Sequence, residues 1–222
     1  SIKKPGIYLF TPHIDSFMKI LLTIPNFDTA GSGKVLYDLA VGLLESGEEV
    51  EIACIHDKGA FFQKVNDLGC PVHVMDFLVE ERPWITFPFR ALRRARWFKK
   101  KRFDIVHSWH YTSDFTEPLV ARLGGAKFIY TKKAMSWGNP RWKLRNRLSN
   151  RIIYINSDMK REFFPDHPRT SFIPIGIDIE EYSPENQFDW PLDVPKYDES
   201  DFVFVSIANL VPVKGIEIAI EA

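Results

Sequence analysis

The 222 residues suffice for one large α/β domain, or for a domain with a fragment of a second. A hydrophobic fraction of 45% beside a charged fraction of 26% is that of a protein with a real core. Lys+Arg and Asp+Glu both number 29, and this zero net charge argues against bulk nucleic-acid binding. Cys54 and Cys70 stand far apart within apolar runs, which points to a reduced, cytoplasmic compartment. No apolar run reaches the roughly 18–20 residues that span a bilayer. The opening Ser1-Ile-Lys-Lys-Pro-Gly6 is basic but has no long apolar core behind it, unlike a signal peptide.

In chain order, short apolar runs alternate with helical patterns, the rhythm of a mostly parallel sheet with crossover helices on both faces, a Rossmann-like α/β fold. Residues 1–16, including Ile7 to Phe10, fit no element of that pattern. Met18 to Ile24 reads as a buried strand ended by Pro25, and a helix is expected from Lys34 to Ser46, stopped by Gly47. Val50 to Ile55 is the second strand, Phe61 to Leu68 a short helix, and Val72 to Met75 the third strand. Phe87 to Lys101 is helical, Asp104 to His107 a strand, Thr116 to Leu123 helical, and Lys127 to Thr131 a strand. Arg141 to Asn150 is helical, Ile152 to Ile155 a strand, Asp158 to Phe164 a helix, and Ser171 to Pro174 a seventh strand. Residues 185–200, rich in Pro, Asp and Glu, read as a linker. Phe202 to Ile207 then starts a new strand and Ile216 a further helix.

Chemistry is expected at the C-terminal ends of the strands, where open α/β sheets bind ligands. After the first strand, Gly31, Ser32 and Gly33 form a glycine-rich loop that lets a phosphate or sugar approach a helix N-terminus. A P-loop is excluded, because Asp28 stands where its first glycine belongs and Val35 where its Ser or Thr belongs. After the fourth strand, His107, Trp109 and His110 offer two imidazoles and a ring on which a sugar stacks. After the fifth, Lys132 and Lys133 are placed to hold an anionic substrate. The helix 89–102 interleaves eight basic residues with apolar ones. It reads either as a basic amphipathic surface for an anionic membrane or, preferably, as a crossover helix packed by Leu92, Ala95 and Phe98 with a solvated basic face.

Ile173-Pro-Ile-Gly-Ile-Asp178 with Tyr182-Ser-Pro184, and then Ala208-Asn-Leu-Val-Pro-Val-Lys-Gly215, resemble the seam of family 4 glycosyltransferases of the retaining, two-domain GT-B class. There an IPNGVD segment closes the first domain and a GRL.P.KG segment opens the second. Phe103-Asp-Ile-Val-His107 through Tyr111 resembles the same family's D-v-v-H-x-H strand end. The resemblance covers about residues 18–222 and implies transfer of a sugar from a nucleotide-sugar, such as a UDP- or GDP-sugar, to an acceptor hydroxyl with retention. It implies no cofactor and no obligatory metal, a glycan or lipid-linked acceptor, no nucleic acid, and a cytoplasmic enzyme with peripheral membrane contact through 89–102 as the membrane reading.

By the resemblance, residues 1–184 form the acceptor-side domain, 185–200 the linker, and 201–222 the start of a donor-binding domain, so the chain is expected to be inactive alone. His107 aligns with the family's first histidine; the second falls on Trp109, and His110 is the favoured cleft residue. Lys214 matches the lysine that neutralises the leaving diphosphate, while Asn209 stands where the family has arginine. The family's Glu-x7-Glu donor motif does not occur within the 222 residues. Two other readings stay open: a non-catalytic binding or scaffold module, and a GT-B nucleotide-sugar epimerase.

Overall fold

The computed structural model describes residues 17–28, 30–136, 139–183, 185–186, 198, 200–208, 210 and 212–221. Strand β1 (Lys19–Ile24) leads through α1 (Ala30–Glu45) to β2 (Glu49–Cys54), and α2 (Ala60–Asn66) leads to β3 (Val72–Val74). The chain then crosses by α3 (Phe87–Lys101) to β4 (Ile105–Ser108) and continues as α4 (Thr116–Leu123), β5 (Lys127–Lys132) and α5 (Trp142–Leu148). β6 (Arg151–Tyr154), α6 (Ser157–Phe163) and β7 (Thr170–Phe172) complete it. The seven strands form one fully parallel sheet in the order β3-β2-β1-β4-β5-β6-β7. This is the Rossmann-like α/β architecture expected of the acceptor-side half of a GT-B fold.

Parallel strands are covered on both faces, so their sequences run apolar without alternation. β1 and β2 show it: every residue after the first is buried in each. One apolar cluster, with Ile20, Leu22, Val50 and Ile52 of the sheet, is closed by Leu36 and Ala40 of α1 and Val65 of α2. The other, with Leu21, Val106, Phe128 and Ile152, is closed by Ala95 and Phe98 of α3, Val120 of α4 and Trp142 of α5.

The structure differs from the sequence reading in several places. Strand β7 ends at Phe172 and not at Pro174, a residue without an N–H for the ladder. On α3 the buried row is Ala91, Ala95 and Phe98, while Leu92, expected against the sheet, is 48% exposed. The predicted strand 202–207 pairs with no strand among the described residues, and Phe202, Phe204, Val205 and Ile207 are all exposed. Backbone in a strand needs a neighbour to take its N–H and C=O groups, and this segment has none there.

The chain divides after Gly176 into two units. In the second, a 3-10 turn (Pro212–Lys214) and Gly215, with φ at +60°, lead into the short helix α7 (Ile216–Glu221).

Candidate functional site

The strand order reverses between β1 and β4. The helix after β1 covers one face of the sheet and the helix after β4 the other, so the loops part and leave a crevice beyond the carboxyl ends of these strands. Thr23 of β1 lies in register with Ser108 of β4, and the Trp109 N–H donates to the Thr23 carbonyl at 2.8 Å, continuing the pairing to the crevice mouth.

The β1 side of the crevice is rigid. The Phe27 N–H donates to the Lys58 carbonyl at 2.8 Å, and Gly59 takes φ +106°. A Cβ at Gly59 would stand 1.9 Å from the carbonyl carbon of Phe27, so only glycine allows this approach. Helix α1 starts at Ala30, four residues earlier than expected, and Gly31, Ser32 and Gly33 therefore occupy its first turn instead of a loop. The first-turn N–H groups of a helix lack intrahelical acceptors and favour anions. The two glycines play different parts. Gly31 has open space around its Cβ position, whereas Gly33 is buried against Phe27 and Phe61 and serves packing.

Lys133, just past β5, ties three segments together. Its Nζ donates to Ser32 Oγ at 2.9 Å and to the Trp109 carbonyl at 2.7 Å, and it lies over the Trp109 ring at 5.6 Å. Burial lowers its pKa to about 8, so the ammonium is still mostly protonated at neutral pH. Lys132, a predicted partner in substrate binding, points the other way. It is only 1% exposed, donates to the Ser136 carbonyl, and lies over the Phe163 and Trp142 rings. Strand alternation explains the split: adjacent residues leave the sheet on opposite faces.

The predicted site residues His107, Trp109 and His110 separate in the same way. His107 shares a hydrogen bond with Thr131 Oγ1 at 2.8 Å, and burial pushes it down to about 4. Its imidazole is neutral at pH 7 and tied to the neighbouring strand, the bond a histidine of the sheet makes. Trp109, expected to offer a sugar a stacking face, is 5% exposed with its ring in the α1-side core. Its indole Nε1 is buried and has no partner among the described residues. His110 turns to the opposite face, edge-on to Phe77 at 6.0 Å. Its Nδ1 is likewise buried without a hydrogen-bond partner among the described residues. Burial lowers its pKa and Glu117 opposes that shift, with Arg145, Asp114 and Lys133 as smaller influences.

The profile of the family described as Glycosyltransferase Family 4 matches residues 29–181, well over half of the chain. The chain belongs to that family. Among curated proteins no match is found. Among solved structures, a glycosyltransferase from Rickettsia africae is similar with a TM-score of 0.63 and 18% identity over 78% of this chain and 46% of that one. Anabaena Alr3699/HepE, solved with UDP and glucose, is similar with a TM-score of 0.53 and 17% identity over 74% of this chain and 46% of that one. At these identities the likeness is one of fold, and the chain spans less than half the length of either structure.

This family member carries beneath His110 a polar group that the sequence reading missed. Glu117 of α4 and Arg145 of α5 form an ion pair at 2.9 Å with both side chains 0% exposed. Thr23 Oγ1 donates to Glu117 at 2.5 Å and Ser108 Oγ at 2.9 Å, while Arg145 also donates to the Asp114 carbonyl at 2.7 Å. Asp114 caps α4 through the Thr116 N–H at 2.7 Å. The signal was in the spacing: Glu117 shares the helix face of Val120 and Ala121, at i+3 and i+4, and those residues are buried. Of the predicted groups, Ser32 and Lys133 are brought into contact beside the open first turn at Gly31, while His110 lies past Trp109 on the opposite face of the sheet. Lys214 ends the 3-10 turn of the second unit and is exposed, and Asn209 lies outside the described residues.

Proposed function

We propose that this chain is the acceptor-side part of a retaining glycosyltransferase that moves a sugar from a nucleotide-sugar to an acceptor hydroxyl. The observation that carries the reading is the buried Nδ1 of His110 at the switch point of the sheet, which has no hydrogen-bond partner among the described residues. A buried polar atom without a partner costs about 1–3 kcal/mol. A sugar hydroxyl in the crevice would satisfy it, since neutral imidazole both donates and accepts. Lys133, with Ser32 and the open first turn at Gly31, would fix an anionic portion of the same ligand. Lys214 and Asn209 would serve the diphosphate leaving group, as the family resemblance implies. A bound UDP in the Anabaena structure supports a nucleotide-sugar donor here. Since that comparison covers 46% of the relative, turnover is proposed to require more chain than these 222 residues.

The test is transfer by the full-length protein from UDP-glucose or GDP-mannose, with His110→Asn compared against wild type. A fall of roughly 10²-fold in kcat/KM with unchanged unfolding supports the reading, and unaltered transfer by His110→Ala ends it.

No helix among the described residues is long and apolar enough to cross a membrane. Trp84, Ile85, Phe89 and Leu92 are nonetheless exposed beside Arg93, Arg96, Lys99 and Lys100, an apolar row flanked by charge that supports peripheral contact with an anionic membrane during acceptor capture. Phe89→Ser should reduce co-sedimentation with anionic vesicles; equal binding by variant and wild type would remove that contact from the reading.

A further inference from the structure

Away from the crevice, the segment between β3 and α3 folds back on the helix and leaves an open-sided cavity of about 470 Å³. Its size is that of a small-molecule site. Arg90, Arg94 and Trp97 recur along α3 at i, i+4 and i+7, one stripe of the helix, and Arg93 flanks them. The lining holds three guanidiniums and two carboxylates.

These charges are not equivalent. Arg90 is a strut: Nη2 donates to the Glu80 carbonyl at 2.8 Å and to the Pro83 carbonyl at 3.2 Å, and Nη1 reaches the Thr86 hydroxyl. Of the acids, Glu80 and Asp76 are exposed, and Asp76 Oδ1 accepts the Leu78 N–H at 2.9 Å within its own turn. Arg93 and Arg94 make no hydrogen bond or ion pair among the described residues. Arg94 is half-buried; burial works against its charge and the nearby Asp76 supports it. Trp97 is fixed edge-on by His73 at 5.3 Å and by Phe98 at 5.1 Å, so with Leu78 it forms a set apolar wall beside free guanidinium forks.

We propose that this cavity is a binding site for a phosphate monoester bearing a flat or aliphatic group. Arg93 and Arg94 grip the phosphate, and Trp97 with Leu78 covers the organic part. Guanidinium is the side chain suited to this, because its planar fork meets two phosphate oxygens at once. The site does not rest on the sugar-transfer reading, although Arg93 also borders the exposed apolar row of the same helix.

Phenyl phosphate, titrated calorimetrically into the 222-residue protein, tests the assignment. Saturable one-to-one binding is expected, weakened about tenfold or more in Arg93→Gln/Arg94→Gln and unchanged in Lys99→Gln/Lys100→Gln, which removes equal charge from the same helix outside the cavity. Absence of binding, or equal weakening by both double variants, overturns the proposal. If the arginine variant does not fold, the wild-type indole resonance of Trp97, assigned through Trp97→Phe, decides: it shifts on titration or the site is wrong. Displacement of phenyl phosphate by vesicles containing phosphatidic acid, but not by pure phosphatidylcholine, makes a lipid headgroup the source of the phosphate. Failure to displace supports a free phosphate ester in the same site.

Discussion

Two buried carboxylates hold the sheet, and they are built on different principles. Glu51 of β2 gathers three partners around one side chain: the ammonium groups of Lys19 at 2.9 Å and Lys101 at 2.9 Å, and the imidazole of His73 at 2.5 Å. Those partners are each 22–30% exposed, so water shares their charge. Glu117 is sealed with a single guanidinium, and hydroxyls from β1 and β4 complete its hydrogen bonds. Redundant, half-wet partners make a site that survives the loss of any one. A dry pair with no substitute makes a site that fails as a unit. The dry pair lies under the candidate site, where it fixes the ends of β1 and β4 and the start of α4.

The largest expected effect follows from breaking the sealed pair. Glu117→Gln or Arg145→Met should each lower unfolding free energy by about 3–5 kcal/mol in urea titrations, and the double variant by less than the sum. Additive losses would show that the two groups do not act as one. Next comes Glu51→Gln. Burial alone would raise the Glu51 pKa, but hydrogen bonds from Lys19, His73 and Lys101 outweigh it and hold the group at about 2, below its ordinary 4.5. A depressed carboxylate contributes stability above about pH 4.5 and loses it as the pH falls toward 2. After discounting for the exposed partners, Glu51→Gln should cost roughly 2 kcal/mol at pH 7 and little at pH 2. An identical cost at both values would detach the cluster from pH stability.

Smaller effects belong to the crevice. Lys133 has a lowered pKa, so its positive charge fades as pH rises through about 8. Affinity of the full-length protein for an anionic ligand in the crevice should fall about tenfold between pH 7 and 9.5, and Lys133→Met should be flat across that range. An unchanged profile in the variant would exclude Lys133 as the titrating contact. Ser32→Ala removes one partner of that ammonium and should lower the unfolding free energy only slightly, by less than about 1 kcal/mol.

The architecture was open to reading because parallel strands carry their burial on both faces as largely apolar runs, and the helix from Phe87 to Lys101 stands in the sequence as in the structure. The side-chain direction of single residues was not. Lys132 and Lys133 are chemically equal in the sequence, yet strand alternation sends one under the Phe163 and Trp142 rings and the other to Ser32. Trp109 and His110 divide in the same way, which removes the stacking platform and leaves the imidazole. The Glu117–Arg145 pair was hidden for another reason: its members lie 28 residues apart on separate helices, and only the packed sheet brings them together.

The Lys133–Ser32 hydrogen bond joins residues 101 positions apart. During synthesis, the chain must extend through β5 before this bond can exist, and β4 must pair with β1 and β5 with β4. Loop closure on that scale is slow relative to local helix formation. The crevice is therefore a late event in the life of the molecule: the Trp109 amide is protected once β4 pairs with β1, and the Lys133 contacts form only after β5 has joined β4.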